Sequence, residues 1–364
     1  MNLSASATDL NVETIYGESY FKISNVNTLR PFFMSIVSDS DHWMFISSNG
    51  GLSAGRKNAE FSLFPYYTDD KITESAEITG SKSIFRVNIN GEAHLWEPFS
   101  IRQSGQYATQ RNLYKNQFGN KVIFEEINHD LQLTFRYQWS SSNQFGFVKT
   151  SELIYHCDKN VSVELLDGLQ NLLPASVSSD LQRASSNLVD AYKRNELDAN
   201  TGLGIYALSA IIVDKAEPSE ALKANVVWSI GLQNASYLVS SLQLDAFRNG
   251  KAIHQETDVK AEKGAYFVHN KMTLSANESK TWQTVANVNL NHAQVITLIQ
   301  NLEKNKNLAN EIAEDVQLGT QNLIRLSAAA DGLQFSKDNL KDARHFSNTL
   351  FNIMRGGIFD FNYQ

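Results

Sequence analysis

Apolar residues recur every second position through the first half of the chain and at helical spacing in its last quarter, so strands come first and helices last. Leu131–Trp139 has the clearest alternation: Leu131, Leu133, Phe135 and Tyr137 face one way, and Gln132, Thr134, Arg136 and Gln138 the other. Shorter runs at Tyr20–Ile23, Phe32–Val37 and Trp43–Ser47 read as strands, and the small residues of 48–56 as a loop for tight turns. Ser83–Val87 and Ala93–Phe99 flank Asn90-Gly91, a hairpin signal. Gln106–Tyr114 pairs with Lys121–Ile127 across Phe118-Gly119-Asn120.

Two further strand-like runs, Phe145–His156 and Val161–Leu166, are joined by Cys157-Asp158-Lys159-Asn160. Asp167-Gly168 reads as turn chemistry that ends the second run, and Leu169–Pro174 as an irregular apolar tail covering a sheet edge or mouth. Ser179–Asp198 then shifts to helical spacing, as a single helix or a helical excursion inside the β domain, capped by Ser179 or Asp180. Strands resume at Gly204–Val213, Ala224–Leu232, Ser236–Leu242, Tyr266–Leu274 and Lys280–Leu290. His292–Leu302, Leu308–Ala330 and Leu340–Arg355 are helical, with Asn291 and Asn339 (or Ser336) as caps. Arg355-Gly356-Gly357 reads as a helix C-cap.

Composition narrows the function classes. The 364 residues are 42% hydrophobic and 20% charged, as expected of one very large domain or two. A formal net charge of -7 argues against nucleic acid or an anionic membrane as partner. No run approaches the roughly 20 apolar residues of a membrane span. One cysteine, Cys157, expected as a small buried strand residue, suits a reducing compartment, and the first residues lack the basic and apolar regions of a secretory signal. A cytoplasmic location follows as the expectation. Ile358, Phe359, Phe361 and Tyr363 would cost about 1.5–3 kcal/mol each if left exposed, so a continuing polypeptide is expected.

Chemistry is sparse. The eight histidines form no H-x-x-x-H or Cys-His cluster, so no metal site is expected, and no motif calls for a cofactor. The spaced glycines of a dinucleotide fingerprint and the Lys-Ser/Thr ending of a phosphate loop are missing from 48–56. Phe61, Phe64, Tyr66 and Tyr67 surround Pro65 and are followed by Asp69 and Asp70, an aromatic and polar patch able to stack on sugar rings. Tyr66, Tyr67, Asp69, Asp70 and Trp96 are accordingly the candidate substrate-binding residues; no catalytic residue is assigned. Glycoside chemistry needs two acids that spacing cannot reveal, with Glu97, Glu125, Glu126, Asp167 and the Asp69-Asp70 pair as candidates.

The Leu165–Pro174 segment, the Phe64–Asp70 segment and the helices from His292 to Arg355 together resemble the front part of carbohydrate phosphorylases of the cellobiose and chitobiose type. That resemblance covers the whole chain as an N-terminal portion, without a matching catalytic motif. It implies a mainly β chain, a large antiparallel β-supersandwich like that of galactose mutarotases. Residues 1–290 would form the sandwich, and 291–364 a helical linker to an (α/α)6 barrel of the same polypeptide, absent here, that carries the catalytic acid. It implies a non-catalytic role, supporting an active-site rim or dimerisation, with carbohydrate as the partner. Two other readings stay open. One is a self-sufficient mutarotase-like or lyase-like enzyme, in which a histidine and a carboxylate drawn from His94, Glu97, Glu125, Glu126 and His129 would converge. The other is a carbohydrate-binding module presenting Trp43, Tyr66, Tyr67, Trp96, Trp139 and Trp228.

Overall fold

A computed structural model describes residues 10–67, 69–184, 186–210 and 221–356. Among the described residues the chain is mainly β, built from antiparallel sheets of eleven, five and three strands, with helices concentrated at the end. In spatial order the large sheet runs Leu10–Ile15, Glu18–Ile23, Thr109–Asn116, Val122–Asn128, Leu133–Ser142, Gly146–Tyr155, Ser279–Asn291, Lys223–Ile230, Leu203–Leu208, Lys193–Asp198 and Asp258–Lys260. The five-stranded sheet runs Ser236–Leu238, Gly264–Leu274, Val161–Leu172, Gly80–Ile89 and Glu92–Trp96. Phe33–Ile36, His42–Ser47 and Leu52–Arg56 make the small sheet.

The inward faces of all three sheets meet in one core. Phe135, Tyr137, Trp139, Phe147 and Trp282 come from the large sheet, Phe85, Val163, Leu165, Leu169 and Tyr266 from the five-stranded one, and Met34, Ile36, Met44 and Ile46 from the small one. The alternation in Leu131–Trp139 therefore marks the core face correctly. Asn90 and Gly91 take positive φ values of 54° and 91° and close the hairpin between Gly80–Ile89 and Glu92–Trp96.

Asp167-Gly168 does not break its strand. Val161–Leu172 runs straight through the pair as a central strand between Gly80–Ile89 and Gly264–Leu274. Gly168 is needed for close approach, because a Cβ there would sit 1.8 Å from the Tyr266 carbonyl oxygen. Asp167 is fully buried and compensated from both sheets. Its Oδ1 accepts from Ser83 Oγ and Lys149 Nζ, each at 2.6 Å, and its Oδ2 from Ser151 Oγ at 2.9 Å and Trp282 Nε1 at 2.6 Å. The expected apolar tail is thus the second half of a core strand.

Three smaller expectations are also corrected. Leu52–Arg56 is a strand rather than loop, because Leu52 and Ala54 reach the core. The helical excursion expected over Ser179–Asp198 is two short helices, Ser179–Ala184 and Ser186–Tyr192, and it ends earlier, at the strand Lys193–Asp198 in which Lys193, Asn195 and Leu197 are buried alternately. Cys157 is half-buried in the bend after its strand, and is free. The expected strand end at 211–213 and the apolar residues at 358–363 lie outside the described residues.

The helices His292–Lys304, Leu308–Ala329 and Asn339–Gly356 match the helical spacing. Asn291 caps the first through a reciprocal capping box with Gln294. The last is capped by Asp338, whose carboxylate accepts from the Lys341 amide, rather than by Asn339 or Ser336. Val295, Leu308, Ile312 and Val316 pack on Phe145, Val148, Trp228 and Val285, closing the large sheet's outer face at that end. No helix among the described residues is long and apolar enough to cross a membrane.

Candidate functional site

A cavity of about 630 Å³ lies where Ser279–Asn291 hands over to the helix His292–Lys304. A bulge builds its wall. Between Ala224 and Val226 the partner strand carries one residue too many, and Asn289 takes a φ of 63°. The displaced backbone is pinned by Asn225: its Oδ1 accepts from the Asn289 amide at 2.9 Å, while its Nδ2 donates to the carbonyls of Ser62 and Leu173 at 3.0 and 2.8 Å. Asn287, Asn289 and Asn291 all border the cavity as a result.

Opposite stands the loop after Leu52–Arg56. Arg56 donates through Nε to Asp41 Oδ1 at 2.7 Å and through Nη1 to Asn287 Oδ1 at 3.4 Å, tying the small sheet to the large one. Lys57 follows with a φ of 60°, its Nζ 5.9 Å from the Phe61 ring centre. Gln144, Gln294 and Asn301 add amides and half-buried Phe61 adds aromatic surface, with Phe145 and Trp228 buried in the floor. Asp41 is the sole carboxylate among the residues that line this cleft, and Arg56 occupies it. Neighbouring His42 is buried, and burial together with the Arg56 charge pushes its pKa down to about 4, which leaves the imidazole neutral at pH 7.

A side chain presenting both an amide donor and an amide acceptor matches two adjacent hydroxyl groups, and an aromatic face matches the C–H side of a sugar ring. The cleft can therefore hold a polyol. It offers no pair of acids for glycosidic bond cleavage.

Three of the carboxylates weighed from sequence, Glu97, Glu125 and Glu126, lie elsewhere and are saturated. Glu97 accepts from both arms of Arg248 at 2.8 and 2.9 Å and pairs with Lys82 at 2.9 Å. Glu126 accepts from Trp96 Nε1, the Phe99 amide and Arg111 Nε. Glu125 points to the opposite face of the sheet, where it borders a 420 Å³ groove with His129, Arg136 and His156. Burial pushes Glu125 up, but Arg136 and hydrogen bonds from Asn112 and Tyr114 outweigh it and hold the carboxyl below the usual range. His94 sits on the edge strand opposite Val87 and borders neither that groove nor the 190 Å³ pocket that Glu97 and Glu126 share. The five residues thus divide between separate places, and the carboxylate that shares a groove with His129 is a weak base.

Of the candidate binding residues, Tyr66 is 45% exposed and meets the Trp43 ring edge-on at 5.5 Å, beside the cleft-lining loop. Tyr67 is half-buried, and Asp70 is exposed on the short helix Asp69–Glu74. The Asp69 side chain lies outside the described residues. Trp96 is buried in the core against Phe85, with a ring-centre distance of 5.4 Å, and presents no surface for stacking. Trp139 and Trp228 are likewise buried. Asn287 and Asn289 belong to no motif in the sequence; their one signal is that they alternate, together with the cap residue Asn291, with Val288 and Leu290. No group of three or more metal-ligating side chains gathers among the described residues.

No protein-family model matches this chain, and neither does any curated protein. Solved structures with a broad likeness include a bacterial glucoamylase complexed with acarbose, 8% identical with a TM-score of 0.44, covering 87% of this chain and 40% of its own. A polysaccharide lyase is 12% identical with a TM-score of 0.39, covering 74% and 34%. A putative kojibiose phosphorylase from human microbiome is 11% identical with a TM-score of 0.33, covering 95% and 39%. The chain therefore spans 34–40% of the length of these proteins. At these values the likeness carries no argument about activity.

Proposed function

We propose that this chain is the non-catalytic sandwich portion of a carbohydrate-active protein, and that the cleft beside Asn287, Asn289 and Arg56 binds a sugar without cleaving it. The sandwich of 1–290 would deliver that cleft to an active-site rim, or to a dimer interface. The helices of 291–364 would lead to a catalytic (α/α)6 barrel in the same polypeptide, whose reaction would be glycoside phosphorolysis or hydrolysis. The observation that supports this reading is the lining itself: amides, a guanidinium and the Phe61 ring, with Asp41 as the sole carboxylate and already paired. Tyr66, Tyr67 and Asp70 extend the same reading to the ring-bearing surface next to the loop.

The test is calorimetric titration of this chain with a panel of disaccharides, beside Phe61→Ala and Arg56→Gln variants. Binding by the wild type, weakened about tenfold in either variant, is expected. A reducing-end assay with and without phosphate is expected to show no turnover. Turnover by this chain alone that disappears in Glu125→Gln would sink the proposal in favour of a self-sufficient enzyme.

A further inference from the structure

We propose that the outer face of the small sheet is a second glycan-binding surface, across which an extended oligosaccharide stacks on Phe33, Phe45, Trp43 and Tyr66. The proposal rests on the carbohydrate reading above and adds to it a chain-length preference and a second site.

Strand alternation sets up the surface. In Phe33–Ile36 and His42–Ser47, Met34, Ile36, Met44 and Ile46 point into the core, so Phe33, Ser35, Trp43 and Phe45 point out. The wet face of an antiparallel sheet ordinarily carries polar side chains. Here it carries three large rings, with Tyr66 as a fourth. Phe33 is 44% exposed, Tyr66 is 45% exposed, and Trp43 and Phe45 are half-buried. Ring centres follow one another at 5.5 Å from Phe33 to Phe45, 5.9 Å from Phe45 to Trp43, and 5.5 Å from Trp43 to Tyr66. The first three rings lie within 28° and 34° of their neighbours' planes. The row therefore crosses the small sheet from its first strand to the segment beyond its last.

The platform is held in place. Trp43 lies across Gly55 on the paired strand, where a Cβ would stand 2.4 Å from its six-membered ring. Its indole N–H donates to the Asn58 carbonyl at 3.1 Å, which fixes the ring and removes its polar demand. Of the other positions on these strands Ser35 is exposed and uncharged, whereas Ser53 and Gly55 are buried under the segment that leads to Tyr66, with Ser53 Oγ donating to the Pro65 carbonyl at 2.8 Å. A row of rings held at Trp43 suits pyranose C–H faces, with sugar hydroxyls left to water and to the Lys115 ammonium that meets the Ser35 carbonyl at 2.8 Å. Continuity favours the same occupant. Asn58, which holds Trp43, belongs to the loop whose Arg56, Lys57 and Phe61 line the amide cleft. A glycan long enough to leave the cleft over this loop meets the rings next, and two linked contacts reinforce each other through effective concentration.

The experiment compares two-unit and six-unit cello-, malto-, xylo- and chito-oligosaccharides, titrated calorimetrically into wild type, Trp43→Ala and Phe33→Ser. Phe33 is exposed, so its variant keeps the test valid if Trp43→Ala fails to fold. Within one series the hexasaccharide is expected to bind wild type at least tenfold more tightly than the disaccharide. Each variant is expected to remove that advantage while leaving disaccharide affinity unchanged. If no hexasaccharide outbinds its disaccharide, or if the advantage survives both variants, the proposal is overturned. It is equally overturned if the rings prove to mediate self-association, seen as a concentration-dependent dimer in sedimentation that the variants abolish while hexasaccharide binding persists. The two readings fail separately. Disaccharide binding without a length effect removes the ring surface and keeps the cleft, whereas hexasaccharide binding lost in Phe33→Ser with no disaccharide binding removes the cleft and keeps the rings.

Discussion

Replacing Asp167 by asparagine changes one atom and should cost more than any surface substitution in the protein. Asp167 and Lys149 are both fully buried, one on each of two facing sheets, at 2.6 Å. Taking Lys149 out of water disfavours its charged form and lowers its pKa, and the Asp167 carboxylate opposes that shift. An asparagine there still accepts from Ser151 and Trp282, but it turns an NH2 group towards Lys149, whose next acceptor is the Gly168 carbonyl at 3.4 Å. Breaking a buried pair by removing one partner costs about 3–5 kcal/mol, because the remaining charge stays buried. Against a total stability of about 5–15 kcal/mol this is a large share. Urea unfolding followed by tryptophan fluorescence is the assay. With a slope of about 3 kcal/mol/M the midpoint should fall by more than about 1 M in Asp167→Asn. Lys149→Met should fall comparably, and the double variant by clearly less than the sum of the two. If Asp167→Asn moves the midpoint by less than about 0.2 M, as a turn position would allow, the cross-sheet role is refuted.

Two further outcomes follow from buried groups. His42 has its pKa lowered from 6.5 to about 4, so the folded state takes up fewer protons than the unfolded chain in that window, and stability is lost as pH falls through it. Between pH 7 and pH 5 this group should account for about 2 kcal/mol, and His42→Asn should flatten the urea-midpoint profile there; an unchanged profile would discount the buried neutral imidazole. Gly168→Ala places a Cβ 1.8 Å from a backbone carbonyl that cannot swing away, so a loss of about 3 kcal/mol or more is expected, read as a drop in thermal midpoint of several degrees. A midpoint within a degree of wild type would show that Val161–Leu172 and Gly264–Leu274 are not as closely apposed as described.

Much of the fold is legible in the sequence wherever local pattern and tertiary environment agree. The Asn90-Gly91 hairpin, the alternation leading into Phe135, Tyr137 and Trp139, and the Asn291 cap before an amphipathic helix all rest on short-range physics that survives folding. Asp167-Gly168 misleads for the opposite reason. A charged residue followed by glycine normally ends a strand, but here the charge is neutralised by Lys149, 18 positions away, and hydrogen-bonded by Ser83, 84 positions away, while the glycine makes room for another strand's backbone. The cleft was hidden for a related reason. Its wall depends on a bulge opposite Asn225, and neither the extra residue nor the pairing of strands so distant in sequence leaves a local mark. Of the aromatic residues singled out from sequence, Tyr66 reaches the surface, whereas Trp96 is claimed by the core and by Glu126. Composition alone could not separate the two.

The most direct test of the account is the location of a bound sugar. Side-chain amide and indole signals of the isotope-labelled chain, titrated with the disaccharide that binds best, should shift at Asn287, Asn289 and Asn301 around the 630 Å³ cleft, and the sugar should be recovered uncleaved. Shifts gathered instead around Asn112 and Gln132 beside Glu125, His129 and His156, with cleaved sugar in the tube, would contradict it.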